Sequence, residues 1–171
     1  MKKNDKMRVV MPNQLSRMVN KINKFSPEFI KPWLLTKLFC SQVKYANTTG
    51  IDIREISHDN VVIKLANKKR VQNHIGGVHA VAAALLAESA SGIVFGINLP
   101  SSQLPLLKSM KLNFNRRMQG ALTATATLTT EQHEQIKAHD KGDMLVSVVI
   151  TDESGEAPIE CEMDWAWVTK R

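Results

Sequence analysis

The sequence predicts an α+β domain in which about six antiparallel strands wrap around one long central helix, behind an N-terminal helical extension. Three observations predict it. One Ala/Leu-rich stretch, running roughly from Val78 to Ile93, reads as a single buried helix. Strand-like alternation appears on both sides of it. At 171 residues, without internal repeats, the chain has the length for one domain with a proper core and would be cramped as two. One long apolar helix beside a set of antiparallel strands is a two-layer design.

The elements follow in order. Residues 1–44 form the extension. Leu15, Met18, Val19, Ile22 and Phe25 recur at helical spacing with Arg17, Lys21 and Lys24 facing away, which predicts a helix packed on the domain with a solvated basic face. Ser26-Pro27-Glu28 reads as a helix start, with a cap, a proline and an acid near the positive end of the dipole. Pro32 should end or restart that helix. Asn47-Thr48-Thr49-Gly50 is a turn cluster that opens the domain proper, residues 45–171. "IDIREIS" and "NVVIKLA" then read as a hairpin. Asn67 to Arg70 is a basic, irregular piece. After the helix come "LLKSMKLNF", "GALTATATLTT", "DMLVSVVITD" and "IECEMDWAWV", four strands solvated on one side. Residues 131–141 read as a longer exposed loop.

Composition narrows the function classes. The net charge of +7 is already present in residues 1–37, where nine Lys/Arg face Asp5 and Glu28; the rest of the chain is neutral. The basicity belongs to the extension. Aromatics make up only 5% and are not interleaved with the charge as stacking platforms would be, so no nucleic-acid partner is expected. Cys40 and Cys161 lie 121 residues apart and suggest reduced thiols in a cytoplasmic protein. The N-terminus lacks the apolar run of a signal peptide. Gly76 to Gly96 is long enough to cross a bilayer, but Glu88, His79 and two serines oppose insertion, so no transmembrane segment is expected.

Glu88 raises the functional question. It is the one formal charge between Arg70 and Lys108, set in a stretch that should be buried, where an unpaired carboxylate is expensive. Residues 80, 84 and 88 share a helical face, with Ser91 and Gly92 a turn further on. Their small side chains leave space above the carboxylate. At the helix start, Asn73, His74 and His79 offer donors, and the amides after Gly76-Gly77 lack intrahelical partners. Free amides there can hold a developing oxyanion, and a desolvated carboxylate can act as base or nucleophile. These are parts for hydrolysing an activated carbonyl. Physical chemistry alone equally admits a structural glutamate, paired with a histidine or capping a neighbouring element.

The spacing Asn73, Gly76, His79, Ala80 and Glu88 resembles the motif of hotdog-fold thioesterases of the phenylacetate-pathway type. More narrowly, it is similar to a branch of that superfamily also found fused behind acetyltransferases. The resemblance covers about residues 45–169, and "LNFNRRMQGALTATA" is similar to the third and fourth strands. It implies an enzyme, a thioester hydrolase acting on acyl-coenzyme A or acyl-carrier protein. In that reading Glu88 activates water or attacks the carbonyl, and the Ala80 N–H polarises it. Asn73 orients the carbonyl or the water, and His79 shapes the site. Gly76, Gly77 and Ser91 would border the substrate. Ala80 stands where the family has glycine, and Arg117 where it has proline. The resemblance also implies a homodimer or dimer of dimers with sites at the subunit interface, and neither metal nor prosthetic cofactor.

Lys68-Lys69-Arg70 and Arg116-Arg117 are candidates for the phosphates of coenzyme A. His133 and His139, six apart in a polar segment, lack the four-residue zincin spacing. No G-x-S-x-G or phosphate loop is present. The alternative functions are a non-catalytic module that binds an acyl ligand in the same pocket, and a basic nucleic-acid or membrane-surface binder acting through the N-terminus.

Overall fold

The computed structural model describes residues 11–170. Lys2, Lys3, Lys6 and Arg8, which supply much of the expected N-terminal charge, lie outside the described residues. Three helices come first: α1 (Gln14–Phe25), α2 (Lys31–Gln42) and α3 (Lys44–Thr49). β1 (Asp52–Ile56) and β2 (Asn60–Leu65) form the expected hairpin, and a short 3-10 turn at Lys69–Val71 leads to α4 (Ala80–Asn98). β3 (Gln103–Phe114), β4 (Leu122–Thr127), α5 (Thr130–Ala138), β5 (Gly142–Asp152) and β6 (Ile159–Thr169) complete the order.

The strands form one antiparallel sheet in the order β1-β2-β4-β5-β6-β3, wrapped on α4 as the hotdog fold requires. Period-two alternation decides the inner face. Ile63, Leu65, Leu122, Ala124, Ala126 and Ile150 are fully buried there. α4 lies across β4 and β2, and Ala124 and Ala126 keep β4 small beneath it. The helix turns Ala83, Leu86, Ala87 and Ala90 to the sheet, all at 0% exposure. By length and composition alone α4 could cross a membrane, yet it is the buried helix of this core.

Four expectations need correction. Ser26-Pro27-Glu28 does not start a helix: Ile30 N–H bonds to the Pro27 carbonyl in a turn, and α2 begins at Lys31 with Pro32 in its first turn, where a missing N–H is harmless. The cluster at 47–50 contains the end of α3, stopped by Gly50 at φ +68°. α4 starts two residues later and ends five later than expected, because Val94, Phe95 and Ile97 continue its buried face. Residues 131–141 are not a loop: α5 begins with a reciprocal capping box between Thr129 and Gln132.

The chain turn before β4 is fastened from beneath. Asp152, with its side chain fully buried, accepts from both guanidinium nitrogens of Arg116 at 2.9 and 3.1 Å and from the Gln119 N–H at 2.9 Å. The Arg116 bonds, first among several donors, hold its carboxyl far below the ordinary value of 3.8. A depressed carboxylate stabilises the fold above its unfolded pKa and loses that contribution as pH falls. Arg116→Ala should therefore lower the melting temperature at neutral pH, and the deficit against wild type should shrink as pH drops below about 3.8; thermal melts across pH check both.

Candidate functional site

The loop from Asn73 to Gly77 is a closed device. Asn73 Oδ1 accepts from the Ile75 and Gly77 N–H groups, both at 3.1 Å, and Asn73 exchanges backbone bonds with Gly77 and Gly76. Gly76 takes φ +79°, a conformation only glycine adopts without strain. Asn73 thus spends its oxygen on the loop, and only its amide nitrogen is left to face a ligand. His79 caps α4, its Nδ1 accepting from the Val81 N–H at 3.1 Å. The neutral ring therefore carries its proton on Nε2.

That cap leaves one amide open. His79 N–H goes to Val71, Val81 N–H to the His79 ring, and Ala82 and Ala83 N–H to the His79 carbonyl. Among the described residues no acceptor meets the Ala80 N–H. Ala80 is itself exposed, so this amide, at the positive end of α4, points to where an anion can reach it.

Glu88 lies eight residues further along the helix, about 12 Å away at 1.5 Å per residue. It is half-buried, and it lines a cavity of about 490 Å³ with Ser89, Gly92, Trp165 and residues of α1 and α2. The one hydrogen bond to its carboxylate among the described residues comes from the Ser89 hydroxyl, at 3.4 Å. Neither histidine nor cation meets it there, so it is not a paired structural carboxylate. Desolvation pushes its pKa above the ordinary 4.5, opposed only weakly by Ser89.

The predicted residues thus fall into two groups. Asn73, Gly76, Gly77, His79 and Ala80 surround the helix start, where exposed Arg117 donates to the Ile75 carbonyl at 3.1 Å. Glu88 stands apart with the cavity. Two of the expected substrate contacts are engaged elsewhere. Ser91 is fully buried, donating to the Ala87 carbonyl at 2.9 Å and accepting from the Trp165 ring N–H at 2.9 Å. Arg116 is committed to Asp152. Sequence reasoning missed Ser89, whose hydroxyl does reach the carboxylate, and missed that α1 and α2 wall the cavity.

Other reactive groups are quiet. Burial pushes the Cys161 thiol up to about 11 and also raises Cys40, which suppresses thiolate chemistry. His133 bonds to Asp59 at 2.9 Å, across from β2.

A sheet wrapped on one helix, with a desolvated carboxylate on the helix's free face and an open amide at its start, defines a hotdog protein with a candidate hydrolytic site. The profile of the family described as a domain of unknown function (DUF4442) matches residues 31–168, and the chain belongs to that family. No curated protein matches the sequence. Among solved structures, a Pseudomonas aeruginosa protein described as a probable thioesterase is 21% identical, with a TM-score of 0.71 over 94% of this chain and 99% of its own. A thioesterase from Haemophilus influenzae is 17% identical, with a TM-score of 0.65 over 81% of this chain and 90% of its own. A thioesterase family protein from Silicibacter pomeroyi is 13% identical, at 0.65 over 79% and 96%. At these identities the likeness is one of fold.

The Ser91 bond to Trp165 fixes the rotation of α4. Ser91→Ala should orphan a buried indole N–H and cost about 1–3 kcal/mol in chemical denaturation.

Proposed function

We propose that the protein is a thioester hydrolase for acyl groups carried on coenzyme A or an acyl-carrier protein. The observation that carries this reading is Glu88: a carboxylate without a charge partner, desolvated, lining an apolar cavity. Thioesterases of the same fold among the solved structures support the same class. In the proposed step Glu88 takes a proton from water, and the oxygen bonds to the thioester carbon. The resulting oxyanion is held by the Ala80 N–H. Collapse breaks the C–S bond, and the thiolate leaves with the proton returned from Glu88. A carboxylic acid and a free thiol result.

One carbonyl cannot touch both groups of one chain, about 12 Å apart on α4. The reading therefore requires a second copy whose Ala80 amide faces this Glu88. The β3 edge supports such a pairing. It is twelve residues long and hydrogen-bonded on one side only, to β6. Its register puts Met110, Leu112 and Phe114 opposite inward-facing Met163, Cys161 and Ile159, on the face beside α4. Met110 and Phe114 are nonetheless 48% and 45% exposed, and Val81 on α4 is 56% exposed. A long apolar edge of this kind invites a partner. Arg117 and Lys68, exposed near the helix start, suit the phosphates of coenzyme A.

Glu88→Gln should lower kcat/KM for thioester hydrolysis by ~10²–10⁴ while the protein stays folded. A folded Gln variant with near-normal turnover would remove Glu88 from the chemistry. Because the folded pKa is raised, wild-type stability should decline as pH rises from 4.5 through that pKa. The Gln variant should lack this decline and be the more stable protein at neutral pH. The acid limb of wild-type kcat/KM should likewise lie above 4.5.

Light scattering should give a dimer or a multiple of it. A monomer at assay concentration that hydrolyses thioesters at full rate would sink the two-chain site.

A further inference from the structure

The N-terminal helices pack around the cavity that Glu88 lines. Asn13, the cap of α1, donates from Nδ2 to the Gly96 and Leu99 carbonyls at 2.7 and 2.8 Å. This ties the start of α1 to the C-terminal end of α4. Met18 and Leu15 of α1 and Leu38 and Phe39 of α2 face the outer surface of α4 across the cavity of about 490 Å³ that Glu88 lines. Its walls are mainly aliphatic and aromatic, interrupted by Asn13, Gln14, Gln42, Gln103 and Lys170. A volume of this size is that of a small-molecule site.

Along its length the cavity follows a helix face stripped of side chains. Gly92 is demanded by packing, since a Cβ there would sit 2.9 Å from the Trp165 ring. Gly96 is not: its nearest neighbour would be Pro105 at 3.8 Å, an ordinary contact. A glycine inside a helix without a packing reason is unfavourable, and its effect is to keep a channel open. The far end is polar. Gln103 is 4% exposed, gives its amide nitrogen to the His139 and Asp140 carbonyls, and leaves Oε1 buried with no partner among the described residues.

We infer that this channel is the acyl chamber, and that the substrates are thioesters of unbranched aliphatic acids of about ten carbons, with α1 and α2 setting the chain length. The inference rests on the hydrolase reading above. The carbonyl lies at Glu88 and the chain runs along α4 towards Gly96, eight residues or about 12 Å away. An extended chain of tetrahedral atoms advances about 1.2 Å per bond, as the protein backbone does over three bonds per residue, so about ten bonds fill the run. A longer chain would drive its methyl end against the polar side chains of Asn13 and Gln103, which an apolar group cannot satisfy. An aryl group would need width that Trp165 occupies beside Gly92.

The test is hydrolysis of saturated acyl-coenzyme A thioesters from acetyl to palmitoyl, by wild type, Gly96→Leu and Met18→Trp. It is paired with calorimetric titration of free decanoate. Wild type should peak near ten carbons. Both variants fill the chamber and should shift the optimum to shorter chains, losing decanoyl turnover by about fourfold for each methylene displaced. Met18 is 39% exposed, so its replacement by tryptophan keeps the test available where Gly96→Leu does not fold. A flat chain-length profile, or an optimum unmoved by Met18→Trp, overturns the chamber while leaving the hydrolase reading in place. Decanoate binding that the variants weaken, in a protein that hydrolyses no thioester, upholds the chamber and rejects the hydrolase. Neither turnover nor decanoate binding overturns both.

Discussion

The contact of Trp165 with α4 is the constraint on which the rest of the arrangement depends. Its ring presses on Gly92, where no Cβ fits, and its N–H lands on the buried Ser91 hydroxyl. A helix lying on a sheet through alanines has little to prevent it from rotating about its axis, since small side chains interlock weakly. Trp165 removes that freedom with one steric and one directional contact a residue apart. Ser91 and Gly92 both meet Trp165, and Glu88 lies one turn earlier on the adjoining strip of the helix, its Oε1 3.9 Å from where a Gly92 Cβ would stand. The rotation that Trp165 sets therefore also decides where Glu88 stands in the cavity that both residues line.

The fold was legible because its two periods are clean. β5 alternates buried and exposed over its whole length, and α4 carries a broad apolar face, so the strand count and the central helix were readable from spacing alone. The errors were local. At Thr129, the pattern Thr-x-x-Gln was a capping signal available in the sequence, but the polar residues around it masked the short helix that follows. At Ser26 the proline was read as starting a helix, whereas Pro32 performs that role four residues after the turn at Glu28.

The candidate site was legible as a list of residues and illegible as a geometry. Glu88 stood out because a lone charge in an apolar run has few physical explanations. The structure reduces them by showing neither histidine nor cation beside it among the described residues. Ser91 and Ser89 are equally plausible neighbours on spacing, and which one reaches the carboxylate depends on the rotation set by Trp165, 74 positions from Ser91 in sequence. The walls given by α1 and α2 were invisible for the same reason. Amphipathicity says that a helix packs, not against what.

Placing the carboxylate and the open amide at different heights of one helix has a consequence for how the site can work. Within one chain the two are too far apart to act on the same carbonyl, so neither is poised for reaction in an isolated protomer. A two-fold pairing along β3 would supply each missing half from the other copy, since an isologous contact gives both chains the same exchange. In the proposed hydrolase, water would be activated only beside the walls that α1 and α2 give Glu88, and the oxyanion would be held only where a second helix start arrives. The apolar surroundings that desolvate Glu88 are what raise its pKa above the ordinary carboxylate value. The N-terminal extension thus supplies part of the wall of the cavity that holds Glu88, although that carboxylate comes from α4.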